Sequence, residues 1–241
     1  MFGGYVAEDW TFTDQLGCTS GRAINSTDVF DANWNNQYLD GTAYPTGTAL
    51  YYFMGGPGAD PSYNASNPSA SEAYNWGVNQ GYDVWWIWDH YGPTVKDPVV
   101  FMDIENPGNG TYEGWDEEVN SCGYRTGTTP IPSSIDRQTF NGFWNEIYNN
   151  TGFWPGVYSS PSYWNYTFGT GSYGSIPNTY QWTSESDSGS PTPGPYGWCQ
   201  SGYGCASWFG GVSGSYQAAW QFAVASSGDW DQFDSSNLPA H

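Results

Sequence analysis

The chain has 241 residues, and its 4 Lys+Arg against 24 Asp+Glu give a formal net charge of −20. This balance argues against nucleic acid and anionic membrane surfaces as partners, because binding either one requires clustered cations. Aromatic residues make up 20% of the chain, with 15 Trp and 20 Tyr, a composition that suits surfaces able to stack on sugar rings.

The first elements are predicted from hydrophobic runs and the residues that end them. Residues 2–10 predict a strand that ends in two acids and a tryptophan. Residues 11–47 are rich in Asn, Asp, Gly and Thr and predict mostly loop, with one short helix near 29–38. A strand at 48–54 then stops at a Gly/Pro run, and capping serines before a shared apolar face predict a helix over 67–80.

The middle of the chain predicts two strands and a long helix. The aromatic run 83–88 reads as a buried strand, and residues 99–105 read as the next one. A long loop follows. Residues 135–150 carry one apolar stripe and predict a helix that ends at Gly152.

Short elements fill the remainder of the chain. The sequence predicts a strand at 155–160, a helix at 161–168 and strands at 178–183 and 218–223. Strands separated by helices indicate a parallel α/β arrangement. No low-complexity linker divides the chain, so a single domain over 1–241 is expected.

Four cysteines allow three complete pairings, and they are Cys18, Cys122, Cys199 and Cys205. The short Gly-rich separation favours a Cys199–Cys205 bridge and leaves Cys18 to pair with Cys122. Zinc binding is the alternative, but CxxC spacing is absent and the chain has only two histidines. The prediction is therefore a disulfide-stabilised protein, without metal or cofactor, in an extracellular setting, secreted or on the cell surface.

No stretch approaches the roughly 18 apolar residues of a membrane span, so membrane insertion is not expected. Asn-x-Ser/Thr triplets make the chain a possible glycoprotein, and they begin at Asn25, Asn64, Asn109, Asn149 and Asn165. An acidic run is expected to be a solvated loop, with Ca²⁺ binding as the alternative, and it comprises Glu113, Asp116, Glu117 and Glu118. The oligomeric state is left open.

The stretch 99–108 carries the strongest chemical signal. It is an apolar strand that ends in Asp103 and Glu105 and is broken by Pro and Gly. Residues i and i+2 of a strand point to the same face, so the two carboxylates are expected to share one side. In a barrel of alternating strands and helices, the carboxyl ends of the strands are where active sites form. The structural alternative is a solvated acid beside a loop-capping one.

Several short motifs follow one another from this strand to the end of the chain. The first is Phe-Met-Asp-Ile-Glu at 101–105, and the second is Gly-Phe-Trp-Pro-Gly-Val-Tyr-Ser-Ser at 152–160. The others are Thr-Tyr-Gln-Trp at 179–182 and Trp-Gln-Phe at 220–222, the latter followed by Gly-Asp-Trp-Asp-Gln-Phe-Asp at 228–234. In this order and spacing, the motifs together resemble the family 25 glycoside hydrolase lysozymes and related lysozyme-like barrels.

The resemblance implies an α/β fold, a single (β/α) TIM-like barrel that is partly irregular and loop-rich. It also implies hydrolysis of β-1,4 bonds in peptidoglycan or a related N-acetylated glycan, a polysaccharide partner and no cofactor. The family's Asp-x-Glu falls on Asp103 and Glu105, with Glu as proton donor. Its first-strand Asp falls on Asp9, and its late Asp on Asp229 or Asp231. Which member of the pair holds the proton is left open.

Aromatic residues at or near predicted strand ends are candidate sugar-stacking walls, and they are Trp88, Tyr91, Tyr158, Trp182 and Trp220. The alternative is that most of them belong to the core. A second class of function also fits the composition: a non-catalytic extracellular protein on the same barrel, used for glycan binding or as a surface or filament subunit.

Overall fold

The structure is a computed structural model. It describes residues 2–11, 23–30, 48–91, 99–105, 114–119, 125–169, 177–184, 216–225 and 228–233. All four cysteines lie outside these ranges, so the predicted disulfides remain predictions. Glu113 of the acidic run also lies outside them. No helix in the described ranges is both long enough and apolar enough to cross a bilayer.

Eight strands form one sheet in the described part of the chain. In chain order they are β1 Phe2–Thr11, β2 Ala23–Phe30, β3 Thr48–Phe53, β4 Val100–Asp103, β5 Gly156–Ser159, β6 Tyr180–Ser184, β7 Tyr216–Ala225 and β8 Gly228–Phe233. The spatial order is β2-β1-β3-β4-β5-β6-β7-β8. The strands from β1 to β7 within this order run parallel, whereas β2 and β8 pair antiparallel at the two ends. The predicted mixed α/β class with a parallel sheet is confirmed.

Helices return the chain between parallel strands, as the alternating pattern predicted. In the described ranges they are α1 Ala70–Tyr91, α2 Ser133–Thr151 and α3 Pro161–Phe168. Helix α2 ends at Gly152, whose φ of 77° is the left-handed conformation that glycine adopts without a steric penalty. Helix α3 is capped at its N-terminus by Ser160, whose hydroxyl accepts a hydrogen bond from the Tyr163 backbone N–H at 3.2 Å.

Three sequence predictions of secondary structure were wrong. Residues 83–88 belong to helix α1 and are not a strand, because a short aromatic run fits a buried strand and a buried helix equally well. Residues 29–30 belong to strand β2, where a short helix was expected. The chain also has β8 beyond the strand predicted to be the last one.

The two faces of the sheet pack differently. On one face, Phe101 contacts Trp182 edge-on at 5.5 Å between ring centroids, in a buried cluster with Tyr158 and Tyr180. On the opposite face, Tyr52 stacks on Phe143 of helix α2 at 5.7 Å. The sheet is therefore buried on the helix side and also carries a packed aromatic layer on its other face.

Helices α1 and α2 run side by side in the same direction and touch through glycines. Gly77 faces Thr139 and Phe143, and Gly81, one turn further along α1, faces Phe143 and Glu146. A Cβ atom on Gly77 would overlap the Thr139 carbonyl oxygen, and one on Gly142 would overlap the Tyr74 carbonyl oxygen. The absence of side chains at these positions therefore sets the separation of the two helices.

Gln80 fastens the turn that follows strand β3. Its side chain is fully buried, accepts a hydrogen bond from the Gly55 N–H at 2.8 Å and donates one to the Gly55 carbonyl at 2.9 Å. The Trp76 indole N–H also donates to that carbonyl, at 3.1 Å. Gln80 is the only one of these groups that bonds both backbone atoms of Gly55.

We expect Gln80→Met to lower the free energy of unfolding by about 2–3 kcal/mol, because it leaves the buried Gly55 N–H without its acceptor. Methionine fills a similar volume, so the loss isolates the polar contact. Denaturant unfolding of this variant and of Asn79→Met, on the exposed side of the same helix, measures the difference. Equal stability of the two variants would contradict the assigned role of Gln80.

Candidate active site

The candidate site is the carboxyl end of strand β4. Asp103 is the last residue of this strand and is largely buried, with 6% of its surface exposed. The Ile104 N–H donates to the Tyr158 carbonyl at 2.9 Å, so pairing with β5 continues one residue past the strand. This extended backbone carries Glu105, which is half-buried, directly beyond the sheet edge.

Alternation along β4 places Asp103 on the face that carries the aromatic cluster and predicts the same face for Glu105. Val99 and Phe101 both pack in that cluster. Residues two apart share a face, so Asp103 follows Phe101 on the same side and Glu105 is expected to do so. The intervening Ile104 is fully buried. That the Glu105 carboxylate shares one wall with Asp103 stays a prediction.

Two aromatic side chains flank this end of β4. Tyr158 is paired with Asp103 in the sheet, and Trp182 is paired with Tyr158. Their rings meet edge-on at 4.9 Å, and each residue is less than a tenth exposed. Both therefore belong to the core, as the alternative interpretation held, and little of their surface is open to a sugar ring.

The same register continues across the sheet. Phe53 of β3 pairs with Asp103 on one side, and Ala219 of β7 pairs with Trp182 on the other. Beyond Phe53, the residue in line is Glu8 of strand β1. The resemblance places the first-strand acid on the next residue, Asp9, and this assignment stays a prediction. The pairing of β1 is irregular on both sides, which cannot be read from the strand's own residues.

The late aspartates lie on the antiparallel edge strand β8. Asp231 pairs with Gln221, and Asp229 pairs with Val224. Gln221 is two residues beyond Ala219, just as Glu105 is two residues beyond Asp103. Asp231 thus lies at the level of Glu105 along the strand direction, and Asp229 lies further out.

Two of the three remaining aromatic candidates lie in a helix and not at a strand end. Trp88 and Tyr91 lie in the last turns of helix α1. This helix leads back toward the start of β4, which is the opposite edge of the sheet, so the predicted placement of both residues at strand ends is wrong. Trp220 lies in β7, where it pairs with Thr183.

Hydrogen bonds tie Asp103 to the neighbouring turn. The Met54 N–H donates to the Asp103 carbonyl at 3.0 Å, and the Trp115 indole N–H donates to the Met54 carbonyl at 3.0 Å. Trp115 is almost fully buried against Phe168. The end of β4 is therefore held by the packed layer behind it, a rigid support for groups that must be accurately placed.

No protein-family profile and no curated protein sequence matches the chain. Among solved structures, it is similar to a family GH25 lysozyme from Aspergillus fumigatus, with 19% identity and a TM-score of 0.50 over 87% of this chain and 78% of that one. A lysozyme from Streptomyces coelicolor gives 16% identity and a TM-score of 0.53 over 88% and 79%.

The Clostridium perfringens spore cortex lytic enzyme SleM gives 12% identity and a TM-score of 0.54, over 98% of this chain and 61% of that one. At these identities the likeness is one of fold. The resemblance first found in short sequence motifs is thus matched in three dimensions. The chain shares the α/β fold of the family 25 lysozymes and muramidases.

Proposed function

We propose that the chain is a single-domain, extracellular glycoside hydrolase that cleaves β-1,4 bonds in peptidoglycan or a related N-acetylated glycan. The observation that carries the proposal is the Asp103/Glu105 pair at the carboxyl end of a parallel strand, in a fold shared with lysozymes. We further propose that the sheet closes into a (β/α) barrel, which brings the edge strand β8 towards β2 and the carboxylates of both halves towards one cleft.

In this proposal Glu105 donates a proton to the leaving glycosidic oxygen. Two adjacent carboxylates disfavour each other's ionisation, so the Asp103 carboxylate helps to keep the proton on its neighbour. The positive charge that develops on the sugar ring requires a second stabilising group. Asp9 or Glu8 from β1, Asp231 or Asp229 from β8, or the substrate's own N-acetyl group can supply it.

Fewer aromatic residues than predicted are supported as part of the substrate-binding site. Tyr158 and Trp182 lie in the same register as Asp103, so they would border a sugar bound there. Trp220 on the next strand remains a candidate. The net charge of −20 suits a neutral glycan better than a polyanion.

The test is turnover of defined glycans by the wild-type protein. We expect soluble fragments and new reducing ends from purified peptidoglycan, with weaker cleavage of chitin oligomers, which lack the lactyl group of muramic acid. Activity on other β-linked glycans alone would support a glycoside hydrolase with a different substrate. Binding without turnover on every glycan would instead support the non-catalytic alternative.

A further inference from the structure

Two aspartates that the proposed reaction does not use are buried where segment 114–119 meets the start of helix α2. Asp116 lies in the segment 114–119 that follows β4, and Asp136 lies in the first turn of helix α2. They are 6% and 1% exposed. The Asp116 carbonyl accepts a hydrogen bond from the Ile131 N–H at 2.9 Å, which fixes the segment to the residues that lead into the helix.

The two carboxyl groups differ in the nearby groups that stabilise their negative charge. Arg125 lies 3.7 Å from the Asp116 carboxylate and 3.0 Å from that of Glu117, and the Tyr163 hydroxyl donates to Asp116. The negative charge of Asp136 is less well stabilised, because the guanidinium of the adjacent Arg137 donates its hydrogen bond to the Phe168 carbonyl, at 3.3 Å. Among the described residues, one oxygen of each aspartate, Oδ1, is buried without a hydrogen-bond partner.

This environment favours the neutral form of Asp136. Burial, and after it the nearby Asp116 carboxylate, raise the pKa of Asp136 well above its ordinary range, while Arg137 acts in the opposite direction. Burial also raises the pKa of Asp116, an effect that Tyr163 and Arg125 partly offset. Burial, and after it Asp136, raise the pKa of Tyr63. Asp116, and after it burial, raise the pKa of Tyr166.

We propose that Asp136 stays protonated while segment 114–119, with the buried Asp116, lies against the start of helix α2, so that this part of the molecule loosens as the pH rises. A proton removes the charge of the buried Asp136 carboxyl and gives it an O–H donor. A Ca²⁺ ion takes six to eight oxygen ligands, and no group of three or more His, Cys, Asp or Glu residues within the described ranges is placed to hold a metal ion.

The sign of the effect follows from linkage. When segment 114–119 opens, Asp136 regains the ordinary pKa of a hydrated aspartate, whereas in the closed form the proton is held more tightly. The closed form therefore has its full stability below the ordinary aspartate pKa, and it loses that stability as the pH rises through the closed-form pKa of Asp136. Trp115, which bonds to Met54 beside Asp103, belongs to the same segment.

The test is hydrogen exchange of segment 114–119 between pH 5 and pH 8, corrected for intrinsic exchange rates. We expect its protection to fall by about tenfold or more in the wild type, since a raised pKa of one unit corresponds to a factor of ten. In Asp136→Asn, which has the shape and neutrality of the protonated acid, protection should stay level. Glu72→Gln removes one charge at an exposed position and should behave as the wild type.

Asp116→Asn supplies a second measurement and the one to use if Asp136→Asn does not fold. It removes one carboxylate of the pair, so protection should depend on pH less steeply than in the wild type. Equal pH dependence in the wild type and in whichever of these variants folds would overturn the proposal. A calcium effect would also overturn it. If calcium chloride restored protection at pH 8 in the wild type but not in that variant, the two aspartates would hold a cation and not a proton. The readout does not require activity and therefore stands apart from the proposed hydrolysis.

Discussion

Glu105→Gln is expected to lower kcat on the cleaved glycan by about 10²–10⁴-fold, the usual contribution of a general acid. Glutamine has the size of glutamate but cannot deliver a proton to the leaving oxygen. Since Glu105 lies beyond the end of β4 and is only half-buried, the variant should keep the thermal midpoint of the wild type. Initial rates with the glycan that the wild type cleaves, together with thermal unfolding, measure both quantities.

Two further variants sharpen this result. Glu72→Gln makes the same chemical change on the exposed side of helix α1 and should leave kcat unchanged. Asp103→Asn keeps Glu105 but removes its charged neighbour, so it should lower activity and shift the acidic limb of the pH–rate profile. A Glu105→Gln variant that retains more than a tenth of wild-type kcat would exclude Glu105 as the proton donor.

The part of the site predicted from sequence is the part formed by neighbouring residues. Asp103 and Glu105 are two apart in the predicted strand 99–105, so a shared face is expected from the two-residue period of a strand alone. The same holds for the helix over residues 133–151, whose apolar stripe and terminal glycine are local signals. In such segments, propensity, pattern and capping all agree.

The rest depends on contacts that no short window contains. Residues 83–88 are helical because helix α1 packs along α2 through Gly77 and Gly81, and this contact outweighs the strand preference of a Trp-rich run. Whether Glu8 or Asp9 lies in line with Asp103 depends on an irregularity in the pairing of β1 with β3. The antiparallel strand β8 is likewise defined by its partner β7.

The contact between helices α1 and α2 supports the second large expected effect. Gly77 is buried, and a methyl group there would overlap the Thr139 carbonyl oxygen and lie 2.8 Å from the Phe143 backbone nitrogen. Both of these are backbone atoms of helix α2, so no side-chain rotation can relieve the overlap. The two helices must move apart, which also disturbs Gln80 and the turn that it fastens.

We therefore expect Gly77→Ala to lower the free energy of unfolding by about 2 kcal/mol. Alanine gains about 1 kcal/mol over glycine in a helix, but overpacking typically costs about 1–3 kcal/mol and more when backbone atoms must move. For a chain of this size the loss corresponds to a fall of about 4–8 °C in Tm. Thermal and urea unfolding provide the measurement.

Gly127→Ala is the matched control, because the nearest atom to its new methyl group is the Thr129 nitrogen at 3.9 Å. This variant should unfold at or slightly above the wild-type temperature, since alanine restricts the unfolded chain more than glycine does. If Gly77→Ala were instead stabilised by its better helix propensity, the two helices would have room between them. The close packing of α1 on α2 would then not be what overrides the strand preference of residues 83–88.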